Sequence, residues 1–414
     1  MSSEAPIVIV GAGQAGVQLA ESLRQEGYPG GLLLIGEERH PPYQRPPLSK
    51  KWLFEAGPIS SLALRGAEAL ARRRIELKLA ARVVAVHRDA QTVEFADGGR
   101  LPYSRLAFTT GSMPRPLPVP GAALQGVLYL RGIEDSMAIA AAIRRCGSEG
   151  RQVVVIGGGF IGLEVAAGAR KLGAAVTVLE GLPRLMSRVT APIVSEAFER
   201  LHRSHGVDFV FNAQVTGLLG HSERVGAVRT ADGREFEAGC VVVGIGVTAD
   251  DRLAEAAGIA CDRGIIVDEC SRTDDADIVA AGDCTARRLP DGRLLRLESV
   301  QNAVEQGKSA AAALMGRERP FTAAPWFWSD QYDVKLQMAG LSHGYDEVIA
   351  RGDLQKPAFS AFYLRNGRLI AVDSLNRISD HMLAKRMLDG GFSPTAEQIA
   401  DPGFDLHGLF KQSA

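Results

Sequence analysis

Pro6-Ile7-Val8-Ile9-Val10-Gly11-Ala12-Gly13-Gln14-Ala15-Gly16 is answered 146 residues later by Gln152-Val153-Val154-Val155-Ile156-Gly157-Gly158-Gly159-Phe160-Ile161-Gly162. Each stretch is a short apolar run that passes directly into G-x-G-x-x-G. An apolar run of that length, stopped by glycine, reads as a strand buried on both faces. A helical pattern follows each motif, through Leu19, Ala20 and Leu23 to Gly27 in the first copy and to about Leu172 and Gly173 in the second. A second apolar strand then closes each unit: Leu32–Ile35 before Gly36-Glu37, and Ala175–Leu179 before Glu180. Two βαβ units in one chain predict an α/β fold.

A lone glycine triplet is weak, because the chain holds 46 glycines. The context makes these two strong. The first glycine permits the tight turn, the second lets backbone N–H groups approach a pyrophosphate, and the third allows close helix–strand packing. Glu37 lies 21 residues after Gly16, and Glu180 lies 18 after Gly162, where a carboxylate accepts hydrogen bonds from a ribose diol. Two such units imply two dinucleotides, and a flavin with a nicotinamide is the economical pair. The glycine motifs do not say which unit holds which. A further strand does: Ile278-Val279-Ala280-Ala281 ends in Gly282-Asp283, and a carboxylate fixed there can hold a flavin's ribityl hydroxyls.

Outward from these motifs, Arg82–His87 and Thr92–Phe95 alternate around charged turns, Leu106–Thr110 and Val241–Gly246 read as buried strands, and Pro114–Pro120 reads as an extended linker. Ser299–Leu314 is an alanine-rich helix. Beyond about Phe321 the texture shifts to aromatics, with Asn366-Gly367 marking a hairpin between Ala358–Leu364 and Leu369–Val372. A separate C-terminal α+β domain is expected.

The chain has 414 residues, too many for one ordinary core. Forty-seven basic against 48 acidic residues leave no global field to hold nucleic acid. No apolar run reaches the roughly 18–20 residues of a membrane span; the longest, Val241–Val247, has seven and contains two glycines. The amino terminus has no basic leader, so a cytoplasmic protein is expected, without nucleic acid or membrane partners. Cys146, Cys240, Cys261, Cys270 and Cys284 include no CxxC. They read as small buried hydrophobes, with no metal site, no iron–sulfur set and no redox dithiol.

Pro6–Gly16, Tyr43-Gln44-Arg45-Pro46-Pro47-Leu48-Ser49-Lys50, Thr109-Thr110-Gly111, Gly157–Glu164, Ala281-Gly282-Asp283, Glu298–Ala303 and Pro325-Trp326-Phe327-Trp328-Ser329-Asp330-Gln331 stand in an order that resembles one family across essentially the whole chain. It is that of the FAD-dependent NADH:ferredoxin reductases of bacterial class I cytochrome P450 and ring-hydroxylating dioxygenase systems, of the putidaredoxin reductase type. The RPPLSK and PWFWSDQ segments carry far more of this resemblance than the glycine motifs do.

The resemblance implies two Rossmann-like domains arranged as in glutathione reductase: an FAD domain at 1–115 and 248–322, an NAD domain at 116–247, and a C-terminal α+β domain at 323–414. Gly11, Gly13, Gln14, Ala15, Gly16 and Glu37 would hold the FAD adenosine half. Arg45, Lys50 and Arg131 would reach FAD, Asp283 its ribityl–pyrophosphate region. Val300 would turn a helix N-terminus toward the flavin, and Trp328 would lie by its ring. Gly157, Gly159, Phe160, Ile161, Gly162, Glu180, Gly244, Ile245 and Gly246 would receive NADH, with Arg188 favoured over Arg184 as the arginine near it. Lys50 and Glu164 would form the catalytic pair, placing compensated charge beside flavin N5, and no proton carrier is needed for hydride transfer. The partner would be a separate [2Fe–2S] ferredoxin, met by a monomer or weak homodimer. The arginines of Arg72-Arg73-Arg74, Arg287-Arg288 and Arg293–Arg296 are expected to form a basic patch that steers it.

Three rivals share the grammar. Glutathione-reductase-like relatives need a redox cysteine where this chain has Ser49. A rubredoxin reductase would differ in its partner alone. An NADH-responsive interaction protein of the apoptosis-inducing-factor type would turn over slowly.

Overall fold

The computed structural model describes residues 5–55, 57–289 and 291–413, and the sheets and helices below are those of the described residues. Met1–Glu4, part of the amino-terminal stretch read above, lie outside them. The chain gathers into two compact units, one of 1–44, 58–113 and 247–323, the other of 45–57, 114–246 and 324–414.

In the first unit the opening apolar run forms the strand Ile7–Val10, central in a five-stranded sheet. Leu32–Ile35 and Arg105–Phe108 flank it in parallel, with Glu76–Lys78 and Ile278–Ala280 outside them. Strand alternation divides the core. Ile7, Ile9, Leu32 and Leu34 face Leu19 and Leu23 of the helix Gln14–Gln25 and Ala310, Ala311 and Leu314 of the helix Val300–Leu314. Val8, Val10, Leu33 and Ile35 face Val93, Phe95 and Ile265 on the other side. Parallel strands need crossover connections that lie over the sheet, and both faces of this one are buried.

The second unit repeats this plan. Gln152–Ile156 is central, with Ala175–Leu179 and Val207–Val210 on one side and Cys240–Val243 and Val127–Tyr129 on the other, all parallel. The expected strand Val241–Gly246 therefore stops at Val243, and Gly244-Ile245-Gly246 forms the loop at its carboxyl end. The C-terminal residues form a five-stranded antiparallel sheet in the order Trp326–Gln331, Val334–Gly340, Arg368–Leu375, Ala358–Arg365, Glu347–Asp353. The hairpin turn is made by Asn366 (φ 51°) and Gly367 (φ 69°), two left-handed residues as a type I′ turn requires. The helix Ile378–Asp389 covers one face through Leu383, Ala384 and Met387.

These units divide the chain differently from the three-part division at 115, 247 and 322. Arg45–Gly57 belongs to the second unit because Leu53 is buried in that unit's core and the Ser136 hydroxyl donates to the Leu48 carbonyl at 2.7 Å.

Candidate functional site

The two glycine motifs are built alike, and the three glycines of each do different things. Gly11 has φ +114°, and a Cβ there would stand 2.2 Å from the Thr109 carbonyl oxygen. A Cβ on Gly16 would stand 2.1 Å from the Gly11 oxygen. The protein itself therefore demands both glycines. Around Gly13 no protein atom lies within 4 Å of the Cβ position, and the helix it opens, with Gln14 and Ala15 first, has no side-chain cap. This is a cradle a side chain would fill, lined by amide donors at a helix N-terminus, and it fits a pyrophosphate.

Glu37 follows the next strand with its side chain 68% exposed, 3.6 Å from Arg82. In the same unit Asp283 stands at the end of Ile278–Ala280 beside Gly282 (φ +88°) and accepts from the Ser112 hydroxyl at 3.2 Å. Gln306, which sequence reasoning passed over, fixes this turn. Its Oε1 accepts from Gly282 N at 2.8 Å, Thr285 Oγ1 at 2.9 Å and Asn302 Nδ2 at 3.1 Å. Val300 opens the same helix, and Ser299 caps it by accepting from Asn302 N. The segment Glu298–Ala303 was legible as a motif, but the tie from its helix to Gly282 through Gln306 was not.

The second motif follows suit. Gly157 (φ +108°) would place a Cβ 2.4 Å from the Gly244 oxygen, Gly162 one 2.1 Å from the Gly157 oxygen, and Gly159 meets nothing within 4 Å. The helix Phe160–Lys171 again lacks a side-chain cap, and Ile161 in its first turn is exposed. Gly246 (φ +100°) is likewise open. Glu180 differs from its counterpart: Oε2 accepts from Gly158 N at 2.6 Å and Oε1 from Leu182 N at 2.8 Å. Arg184, the less favoured of the two arginines, is tied down by the carbonyls of Thr190 and Ser187 and the Ser195 hydroxyl at 2.7–3.0 Å. Arg188 is exposed.

Lys50 and Glu164 meet within the second unit, with Lys50 Nζ 2.9 Å from Glu164 Oε1 and the side chains 14% and 2% exposed. The prolines of Arg45-Pro46-Pro47-Leu48-Ser49 wind one 3₁₀ turn over Pro46–Ser49, which delivers Ser49 and Lys50 to the same carboxylate. Ser49 Oγ donates to Glu164 Oε2, and Ser329 Oγ donates to Oε1 at 2.6 Å. Three donors on two oxygens is the set an ionised carboxylate accepts. Ser49, read from sequence as the mark of a missing cysteine, and Ser329 are partners of this carboxylate that sequence reading did not assign. Arg45 donates to the Arg131 carbonyl at 2.8 Å. Trp328 lies on the same strand as Ser329, and alternation sends their side chains to opposite faces.

Four arginines of the three runs are ion-paired. Arg72 pairs with Glu68, Arg73 with Glu21, Arg293 with Asp291 and Arg296 with Glu298, at 2.7–3.8 Å. Arg287 lies over the Phe321 ring, and burial pulls its pKa down. Of the cysteines, Cys146 and Cys240 touch, Sγ to Sγ at 3.6 Å in the second unit's core, which 94 residues of separation concealed. Among the described residues no cluster of His, Cys, Asp or Glu could hold a metal ion, and no helix is long and apolar enough to cross a membrane.

Residues 5–307 match the pyridine nucleotide-disulphide oxidoreductase family, and 326–410 match the reductase C-terminal family. The chain is 45% identical over 401 residues to rhodocoxin reductase of Rhodococcus erythropolis, covering 97% of this chain and 93% of that one. Its fold superposes with a TM-score of 0.94 on the ferredoxin reductase for the CYP199A2 system of Rhodopseudomonas palustris, at 41% identity over 98% of this chain and 100% of that one. The same score, at 40% identity over 99% of each chain, relates it to the reductase of the covalent putidaredoxin reductase–putidaredoxin complex. On these matches, which span nearly the whole chain, the chain belongs to the ferredoxin reductases of the pyridine nucleotide-disulphide oxidoreductase family.

Proposed function

We propose that the protein moves electrons from NADH through FAD, one at a time, to a [2Fe–2S] ferredoxin that feeds a P450 or dioxygenase, as a cytoplasmic monomer or weak homodimer. The observation that carries this reading is the pair of cradles, each open at its second glycine and each followed by a carboxylate. When bound, FAD supplies the step from two-electron to one-electron chemistry.

The chain's own residues bind and orient. The domain at 1–115 and 248–322 receives FAD, with Gly11, Gly13, Gln14, Ala15 and Gly16 at the pyrophosphate, Glu37 at the ribose and Asp283 at the ribityl chain. Val300 offers a helix N-terminus, and Arg45, Lys50, Arg131 and Trp328 serve the same cofactor. The domain at 116–247 receives NADH through Gly157, Gly159, Phe160, Ile161, Gly162, Gly244, Ile245 and Gly246. Glu180 accepts from the ribose hydroxyls and Arg188 serves as the nearby cation. Lys50 presents a cation already balanced by Glu164, so neither needs to move a proton. The domain at 323–414 completes the chain.

The test is direct. Protein purified and then denatured should release one FAD per chain, and the intact protein should reduce a [2Fe–2S] ferredoxin with NADH. Slow turnover with every one-electron acceptor, ferredoxin and rubredoxin included, would refute the reading in favour of an interaction protein.

A further inference from the structure

Glu164 is the near end of a buried polar chain that runs away from Lys50. Ser329 Oγ donates to Glu164 Oε1 at 2.6 Å, Gln331 Nε2 donates to Ser329 Oγ at 3.1 Å, and His202 Nε2 lies 2.8 Å from Gln331 Oε1. All belong to the second unit. Ser329, Gln331 and His202 are fully inaccessible, and Glu164 nearly so. The donor order fixes every member. Gln331 spends its NH₂ on Ser329, so its oxygen must accept, and His202 must carry its proton on Nε2. The Ser329 hydroxyl, accepting from Gln331, has its own hydrogen directed at Glu164.

Neither Gln331 nor His202 is explained by packing alone. Among the described residues the His202 Nδ1 has no partner, and leaving a buried acceptor unsatisfied costs free energy that an apolar side chain would avoid. Its other neighbours are the rings of Phe209 and Tyr332. Burial pushes its pKa down to about 4, so it stays neutral and keeps the one tautomer the chain needs. Strand alternation puts Ser329 and Gln331 on one face, and the helix Pro192–Ser204 brings His202 to its end.

We infer that Gln331 and His202 are positioning residues for Lys50: they lock the Ser329 hydroxyl onto Glu164 and so hold the carboxylate where Lys50 must meet it. The consequence for hydride transfer rests on the place of Lys50 proposed above. Without Gln331, Ser329 can turn its hydrogen elsewhere, Glu164 gains rotational freedom, and the ion pair loosens.

Acylation by sulfosuccinimidyl acetate, read by mass spectrometry on the purified flavin-loaded protein, tests this without activity. Lys51, next in sequence with its side chain 76% exposed, is the internal reference. Gln331→Leu and His202→Leu should raise the Lys50:Lys51 labelling ratio about fivefold or more, and His202→Gln, which keeps a donor at that end, should restore it. Hydride transfer should fall by a similar factor in the first two. An unchanged labelling ratio in Gln331→Leu, with melting temperature preserved, overturns the inference, as does equal loosening in His202→Gln. Should His202→Leu fail to fold, Gln331→Leu and Ser329→Ala give the same reading. A raised ratio with hydride transfer unaltered upholds the inference and counts against the proposed place of Lys50 instead.

Discussion

The two glycine cradles have the same backbone and differ in their carboxylates. Glu37 extends into solvent with a loose partner in Arg82, whereas both oxygens of Glu180 are pinned by backbone amides of its own loop. A Cβ on Gly158 would lie 3.0 Å from Glu180 Oε2, so the extra glycine between the first and second motif glycines makes room for the pinned geometry. A free carboxylate can move aside for whatever arrives, while a pinned one must be matched. Identical motifs therefore predict different stringency: tolerant at the first site, discriminating at the second.

The largest effects should come from what the cradles share. Gly11→Ala and Gly157→Ala each force a side chain into a left-handed backbone and against a carbonyl oxygen at 2.2–2.4 Å. Strain of that kind costs about 1–3 kcal/mol before the clash is counted. We expect Gly11→Ala to lose FAD and Gly157→Ala to keep FAD but lose NADH reduction about a hundredfold or more. Gly13→Ala and Gly159→Ala, open in the protein, should fold normally and weaken only cofactor binding, by about tenfold. FAD content and NADH kinetics separate the four. Full FAD in Gly11→Ala would break the comparison at its root.

Next comes the second unit's ion pair. Removing either Lys50 or Glu164 strands a buried charge, a loss on the order of 3–5 kcal/mol that the two hydroxyls on Glu164 only partly offset. Lys50→Ala and Glu164→Ala should each slow hydride transfer by about a hundredfold, and the double variant should be no slower than the worse single one. Strict additivity would mean the two act separately.

The carboxylates themselves give a smaller contrast. Against Glu180 a 2′-phosphate meets like charge and loses a hydroxyl donor, worth about 1–3 kcal/mol, or roughly ten- to a hundredfold in kcat/KM for NADH over NADPH. Arg184 is held by its own loop and does not soften this. Glu180→Ala should erase most of the preference. Glu37→Ala should change FAD affinity by less than about threefold, as expected of an exposed group. A large FAD loss in Glu37→Ala would show that exposure is a poor guide to stringency.

What was legible in the sequence follows from the range of the forces involved. Both βαβ units could be read because strand, turn and helix lie within some 30 contiguous residues, although the carbonyls that demand Gly11 and Gly157 belong to the distant Thr109 and Gly244. Lys50 and Glu164 came from motif resemblance, and the structure brings them together. Ser329, Gln331, Gln306 and the Cys146–Cys240 contact were not assigned, because their partners come from strands and helices distant in sequence. The arginine runs show both ranges at once: Arg72, Arg293 and Arg296 find acids within four residues in sequence, whereas Arg73 finds the distant Glu21.

The smallest expected effect concerns acid. The second unit buries two histidines, His202 and His381, and desolvation pushes each down to about 4, with His205 and Lys385 adding like-charge repulsion. A histidine with a depressed folded-state pKa binds its proton more readily unfolded. Its stabilising contribution is therefore complete above about pH 6.5 and is lost as pH falls from there toward 4. Between pH 7.5 and 5.5 each histidine should withdraw about 1 kcal/mol. For a unit of this size that is a fall of about 2–4 °C in melting temperature per kcal/mol. Cofactor-free protein keeps ligand binding out of the measurement. His202→Gln, which cannot titrate but keeps its donor to Gln331, should lose roughly half of the pH sensitivity in that window. If its melting temperature falls with acid as steeply as the parent's, the sensitivity belongs to other groups, and the buried histidine contributes no acid response of its own.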